Sequence, residues 1–391
     1  MNATEDKKKV GETLRGTKSE QLQGAAVNLV RNIPGLKQSV LSGVAILTRH
    51  ETGYLQAKLK KEETKTAELT ERCEELTSIL ASVSKHIERE QRANREVKNE
   101  AAAVRRVMFI EHQREQIKKH FPEYSKHLLP VDAFEKRVLD AVAEKTMPVI
   151  VLTHIQKTAG NSIIAYLRRC LTVERIAGIH EFEMAPREEI ERAVADKFGQ
   201  FDVLAGHIPF CRRVDQLTAP RDSLNISILR EPVDRVVSLY YYLRANASWL
   251  GQGQTIIEEK ISLEGFAGSG AYFDNHMVRM LCDVEPIAVP LGGCTREMLE
   301  QAKINIVKNF LMVGLTEEAP EFFALLARLF CFSLEDVPSE NINKQRSSIS
   351  SVPREALSAI AKHNSFDVEL YEFVQKLWNV TSKNWLSLCR N

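Results

Sequence analysis

Lysine, glycine, two hydroxyls and an amide fall together at Lys157-Thr158-Ala159-Gly160-Asn161-Ser162, between an apolar run and an apolar helical pattern. A turn of this kind makes a site for a phosphate-like anion. The backbone N–H groups of the turn and of the first helical turn have no partner within the helix, and the helix dipole favours negative charge there. Lys157 adds a positive charge on a flexible stem that can follow an anion through a reaction. The order of residues excludes a Walker A loop, in which a glycine stands upstream and the lysine sits just before the helix. Here Lys157 precedes Gly160. The same residues also read as an ordinary strand-to-helix turn with an exposed lysine.

A second grouping is Arg230 and Ser238, eight residues apart in ILREPVDRVVSLYYYLR. An apolar run ends at Leu229, and Pro232 is tolerated at the start of a helix. Two helical turns cover the gap, so an arginine at a strand tip and a hydroxyl on the helix face can converge on one phosphate. The planar guanidinium suits that task because it meets phosphate oxygens with two hydrogen bonds. The competing reading pairs Arg230 with Glu231 or Asp234 at the helix start.

These groups need a scaffold that brings distant turns together. Residues 149–152 are a short apolar run of the kind expected for a buried parallel strand. From there, apolar runs and helical patterns alternate: strand 149–153, helix 161–171, strands 201–205 and 224–229, helix 232–244, strand 311–314, helix 320–331. This alternation predicts an α/β fold with a parallel sheet and crossover helices. A last helix is expected over 365–378, with Phe366, Leu370, Phe373, Val374 and Leu377 on one face.

Taken together, THIQKTAGNS and ILREPVDRVVSLYYYLR resemble the 5′-phosphosulfate and 3′-phosphate segments of sulfotransferases that use 3′-phosphoadenosine 5′-phosphosulfate (PAPS). The resemblance is to the carbohydrate branch that includes heparan sulfate 2-O-sulfotransferase and related bacterial proteins. It extends to FDVLAGHIPF at 201–210, DNHMVRML at 274–281, FLMVGLTEE at 310–318, NINKQR at 341–346 and NSFDVELYEF at 364–373. One departure is Gln156, where the family has proline. The resemblance implies a P-loop-like central parallel sheet flanked by helices. It implies that Lys157, Thr158, Ala159, Gly160, Asn161 and Ser162 hold the phosphosulfate, Arg230 and Ser238 the 3′-phosphate. Lys344, Arg346 and Ser347 match a loop that closes over the nucleotide. No cluster of metal ligands is visible, and the family needs none.

Sulfuryl transfer, like phosphoryl transfer, is mostly positioning and electrostatics around an in-line nucleophile. A base must still take the proton of the acceptor hydroxyl. His207 follows a strand at the end where open α/β sheets bind ligands, and a neutral imidazole suits the work near pH 7. His154, His180 and His276 are further candidates. The expected acceptor is a carbohydrate hydroxyl, by resemblance alone. Two rivals are a coiled-coil scaffold with an inactive sulfotransferase-like domain and a P-loop-type kinase, which would need a Walker A loop.

Four segments are expected along the chain: a disordered to short-helical stretch at 1–53, a long helix at 54–119, a connector at 120–146, and the sulfotransferase domain at 147–391. Within the helix, Leu69, Cys73, Leu76, Leu80, Val83, Ile87, Glu90, Asn94, Val97, Ala101, Val104 and Met108 alternate in steps of four and three. That heptad predicts a coiled coil and a homo-oligomer, with Asn94 at an a position favouring two strands. One helix folded onto its own domain could use the same stripe. A net charge of +1 over 391 residues argues against nucleic acid as the main partner. The seven cysteines show no metal spacing and read as reduced thiols. The first residues are too polar for a signal peptide, and the apolar stretch at 24–47 is broken by charges and Pro34-Gly35. The expectation is a cytoplasmic protein with no integral membrane segment.

Overall fold

The computed structural model describes residues 49–128, 147–171, 175–178, 188, 191–192, 201–213, 216, 223–248, 250–268, 274–337 and 349–388. Two compact units are distinguished, Met1–Arg95 and Glu96–Asn391. The first carries most of one helix, α1 (Arg49–His120), whose sequence is dominated by the strong helix formers Lys, Glu, Ala and Leu.

The second unit is built on five parallel strands: β1 (Val149–Thr153), β2 (Ile176–Gly178), β3 (Val203–Gly206), β4 (Ser223–Leu229) and β5 (Phe310–Leu315), in the order β2-β3-β1-β4-β5. The expected α/β architecture is therefore present. β1 and β5 are buried along their whole lengths, which is why they read as unbroken apolar runs. After β1 the chain passes through α2 (Gly160–Cys170) and builds β2 and β3 on one side, then returns to place β4 on the other. The direction of winding thus reverses at β1. Ligands of open α/β sheets sit at such a switch point, outside the carboxyl ends of the strands.

Further α-helices among the described residues are α3 (Pro232–Ala245), α4 (Gly251–Glu258), α5 (Leu263–Ala267), α6 (His276–Leu281), α7 (Arg296–Asn309), α8 (Ala319–Phe330), α9 (Arg354–His363), α10 (Ser365–Trp378) and α11 (Asn384–Leu388). The main core joins both ends of this unit. Phe109 and Ile117 of α1 and Phe121 and Tyr124 just after it are buried with β1, β4, β5 and α10. Phe109 meets Trp385 edge-on with ring centroids 5.3 Å apart, and Phe121 meets Phe373 likewise. The Arg106 guanidinium is buried and donates to the Leu329 carbonyl at 2.9 Å. Residues 96–120 are thus part of the domain core, whereas a domain edge at residue 147 would leave them outside.

The heptad stripe is not the face that docks. Ala102, Ala103, Arg106, Phe109 and Ile117 point inward, while Val97, Val104 and Met108 are more than half exposed. Of the connector expected at 120–146, residues 129–146 lie outside the described residues. Among those described, no helix is long and apolar enough to cross a membrane, and Cys170, Cys211, Cys282, Cys294 and Cys331 are free thiols.

Candidate active site

Three neighbouring strands end in the three groups of interest: β1 runs into the turn at 154–159, β3 into His207 and β4 into Arg230. The register makes them neighbours, since Thr153 pairs with both Gly206 and Ser227.

The turn after β1 is tightly wound. Lys157 and Ala159 both take left-handed backbone, with φ of 66° and 65°. Such a conformation costs a residue with a Cβ on the order of 1 kcal/mol, so the surroundings must hold it. Part of the hold comes from Thr158, which is fully buried and donates its hydroxyl proton to the Ile155 carbonyl at 2.8 Å. Its side chain braces the loop from inside. Ala159 precedes α2 with no side chain able to cap it, so the first helical N–H groups keep their affinity for an anion. Asn161 is exposed and Ser162 half-buried beside them.

Gly160 answers to a contact. A Cβ placed there would lie 1.9 Å from Cδ2 of His154, so only glycine lets the imidazole rest against the start of α2. The His154 ring in turn stacks on His207, with centroids 4.2 Å apart and planes at 29°. Nδ1 of His207 lies 2.7 Å from the His154 carbonyl oxygen. A carbonyl only accepts, so Nδ1 carries the proton and Nε2 holds the lone pair. Burial lowers the His207 pKa, and the bond to the His154 carbonyl partly offsets this. His207 therefore has the form of a base: neutral, in a set tautomer, and half-buried at a strand end.

Arg230 does two things at once. Nε donates to Asp234 at 2.6 Å and Nη2 ion-pairs with it at 2.5 Å, while Nη1 donates to the Lys157 carbonyl at 3.1 Å. The pairing with Asp234 was one of two readings of the sequence, and the structure adds a tie across to the turn after β1. Burial lowers the Arg230 pKa, against the pull of Glu317 and Glu231. Glu231 caps α3 by accepting from the backbone of Val233 and Asp234, and Glu317 accepts from the Glu231 N–H at 2.9 Å. Ser238 lies buried two turns along α3 from Arg230. One turn further, the Tyr242 ring carries the Lys157 ammonium 3.9 Å from its centroid. Lys157 thus leans over the helix face that bears Ser238.

Tyr242 and Glu317 were not singled out from sequence and had no signal there; Asp234 entered only as the competing partner of Arg230, four residues on along a helix. Lys344, Arg346, Ser347 and His180 lie outside the described residues. His276 is fully buried, with its pKa far below the ordinary value through burial and the charges of Arg235, His207 and Arg279. It belongs to an interior polar cluster in which Asp274 pairs with Arg279 at 2.5 Å and Asp367 accepts from the backbone of Met277 and Val278. No group of three or more His, Cys, Asp or Glu side chains able to hold a metal is gathered among the described residues.

A family model described as Galactose-3-O-sulfotransferase matches residues 150–384. Heparin sulfate O-sulfotransferase of Drosophila melanogaster is 25% identical over 241 residues, covering 56% of this chain and 61% of the fly protein. Human heparan-sulfate 6-O-sulfotransferase 1 is 27% identical over 187 residues, 41% of this chain and 45% of the human one. Heparan-sulfate 6-O-sulfotransferase 2 of Danio rerio is 27% identical over 281 residues, 59% and 58% of the two chains. The chain spans roughly half to three-fifths of the length of these relatives. The family match takes in the sheet, the turn after β1 and both strand ends that flank it, and it runs over more than half of the sequence. The chain belongs to the galactose-3-O-sulfotransferase family, a family of carbohydrate sulfotransferases.

Proposed function

We propose that the protein transfers the sulfuryl group of PAPS to a hydroxyl of a carbohydrate, with His207 as general base. The observation that carries this is the 2.7 Å approach of His207 Nδ1 to the His154 carbonyl oxygen: a carbonyl only accepts, so Nδ1 donates and Nε2 can accept a proton at the strand ends that carry Lys157 and Arg230. In the transfer, the acceptor oxygen bonds to sulfur as the bond from sulfur to the phosphate oxygen breaks. The acceptor proton goes to Nε2 of His207, and PAP leaves with the charge that Lys157 is placed to follow. Residues 157–162 hold the phosphosulfate in this reading and Arg230 with Ser238 the 3′-phosphate; Lys344, Arg346 and Ser347 close over the nucleotide. The sulfotransferases matched above act on heparin or heparan sulfate by name, which supports a sugar acceptor.

Calorimetry with PAP in the presence of EDTA tests the donor site. Binding is expected without metal, and Arg230→Ala should weaken it by roughly 10- to 100-fold, the value of a hydrogen-bonded charge of about 1.5–3 kcal/mol. Because Nη1 also holds the Lys157 carbonyl, the same variant should slow transfer within the bound complex. Lys157→Ala should chiefly slow transfer, since its charge is needed most in the transition state. Absent PAP binding with tight magnesium-dependent ATP binding would point to a kinase. PAP binding without transfer to any sulfatable glycan would point to an inactive scaffold.

We also propose that two copies pair through α1. Within residues 96–120 the helix puts one face into its own core and leaves Val97, Val104 and Met108 exposed on another. Past Met108 the same heptad positions fall on Glu111 and Glu115, both exposed, so the apolar seam stops there. Upstream it continues in sequence through Asn94, Ile87 and Leu80, the pattern of a two-stranded coil. Val104→Glu with Met108→Glu should halve the mass found by light scattering and leave PAP affinity unchanged. A wild-type monomer, or an unchanged mass in the variant, sinks the idea.

A further inference from the structure

His154 stands between the two halves of the proposed reaction. Its ring is buried, lies against Gly160 at the start of α2 on one side, and stacks on His207 on the other. Its backbone is held as well: the N–H donates to the Gly206 carbonyl at 2.9 Å, extending the β1–β3 ladder by one residue, and its own carbonyl takes the His207 Nδ1 proton. The residue therefore joins the helix end that would face the sulfonate to the side chain that would accept the proton.

We propose that His154 is the positioning residue of the base, holding His207 in one tautomer and one tilt by its carbonyl and its stacked imidazole together. This rests on the assignment of His207 as base. The physical reason is that an imidazole attached by two rotatable bonds can turn away from a carbonyl or flip its ring. A single hydrogen bond of about 1 kcal/mol does not hold it in one state. A flat ring against its face removes the freedom to tilt, and the Gly160 contact removes it from His154 in turn. Outer groups that orient metal-ligating histidines are worth roughly 10- to 100-fold in activity, and an effect of that order is expected here. His276 of α6 is close enough to feel His207, Arg235 and Arg279 electrostatically.

His154→Ala keeps the carbonyl and removes the stack, while His154→Phe keeps a flat ring. The readouts are the ¹⁵N spectrum of histidine-labelled full-length protein, transfer at saturating PAPS and acceptor, and PAP affinity. The Nδ1–H tautomer of His207 should give one sharp pair of resonances in the wild type and average between tautomers in His154→Ala. Transfer in that variant should fall by roughly 10- to 100-fold with PAP affinity within about threefold. His154→Phe should recover both the tautomer signal and most of the rate. An unchanged His207 tautomer in a folded His154→Ala overturns the positioning role. So does His154→Phe behaving like His154→Ala, because then the ring does not matter as a flat support. The tautomer is read in the resting protein, so it decides the matter even if His207→Ala proves active and the base assignment itself falls.

Discussion

His207→Ala is expected to bind PAP nearly as the wild type does and to lose sulfuryl transfer by roughly 10²- to 10⁴-fold, the usual range for a missing general base. A hydroxyl acceptor has a pKa far above neutrality, so its proton must leave as the bond to sulfur forms. Only the unprotonated imidazole can take it. Burial lowers the His207 pKa, so the neutral form persists further into acid than for an ordinary histidine. Turnover should therefore hold steady above pH ~6.5 and fall on an acid limb below that ordinary value. The variant should lack this limb. His276 adds no compensating charge, since burial and the nearby Arg235 and Arg279 oppose its protonation. The measurement is a pH profile of transfer in both proteins. A variant that keeps more than about a tenth of wild-type turnover, or that retains the acid limb, places the base elsewhere.

The second large effect concerns residues far from the turn. Phe109→Ala should destabilise the second unit by about 3–5 kcal/mol, the cost of removing a buried aromatic from a packed core. The ring is fully buried and meets Trp385 edge-on. Truncation makes the same point more severely. A chain lacking residues 1–130 loses Phe109, Ile117, Phe121 and Tyr124 from the core at once. The combined loss is of the same order as the roughly 5–15 kcal/mol that a domain has in total, so this piece should not fold stably. A chain starting at Glu96, where the second unit begins, keeps all four and should unfold cooperatively in urea. Equal midpoints for the two truncated chains would show that the end of α1 is dispensable.

What the sequence by itself determined lies where the physics is local. The run Val149–Leu152 is apolar, with Thr153 buried after it, because both faces of a central parallel strand are covered. The turn after it reads as an anion site from residue types alone, and α10 occupies the span at 365–378 that its apolar spacing marks. Shorter or more polar pieces escaped. β2 has only three residues, too few for a period to show, and α7 is polar enough to read as a connection. The pairing of Arg230 with Asp234 was one of two local possibilities, and only packing against the Lys157 carbonyl shows how one guanidinium serves both.

The tertiary structure decided the rest, since it depends on which strands are neighbours. His154 and His207 are 53 residues apart and meet because β1 pairs with β3 in a register that sets Thr153 beside Gly206. Composition carries no trace of that pairing. The same holds for α1 within residues 96–120: its heptad announces one face, while the face that enters the core consists of Ala102, Ala103, Arg106, Phe109 and Ile117. A helix shows every face in its sequence at once. Which face is buried is settled by the surface it meets, and that surface is assembled from distant strands and helices, as Phe109 and Trp385, 276 residues apart, attest.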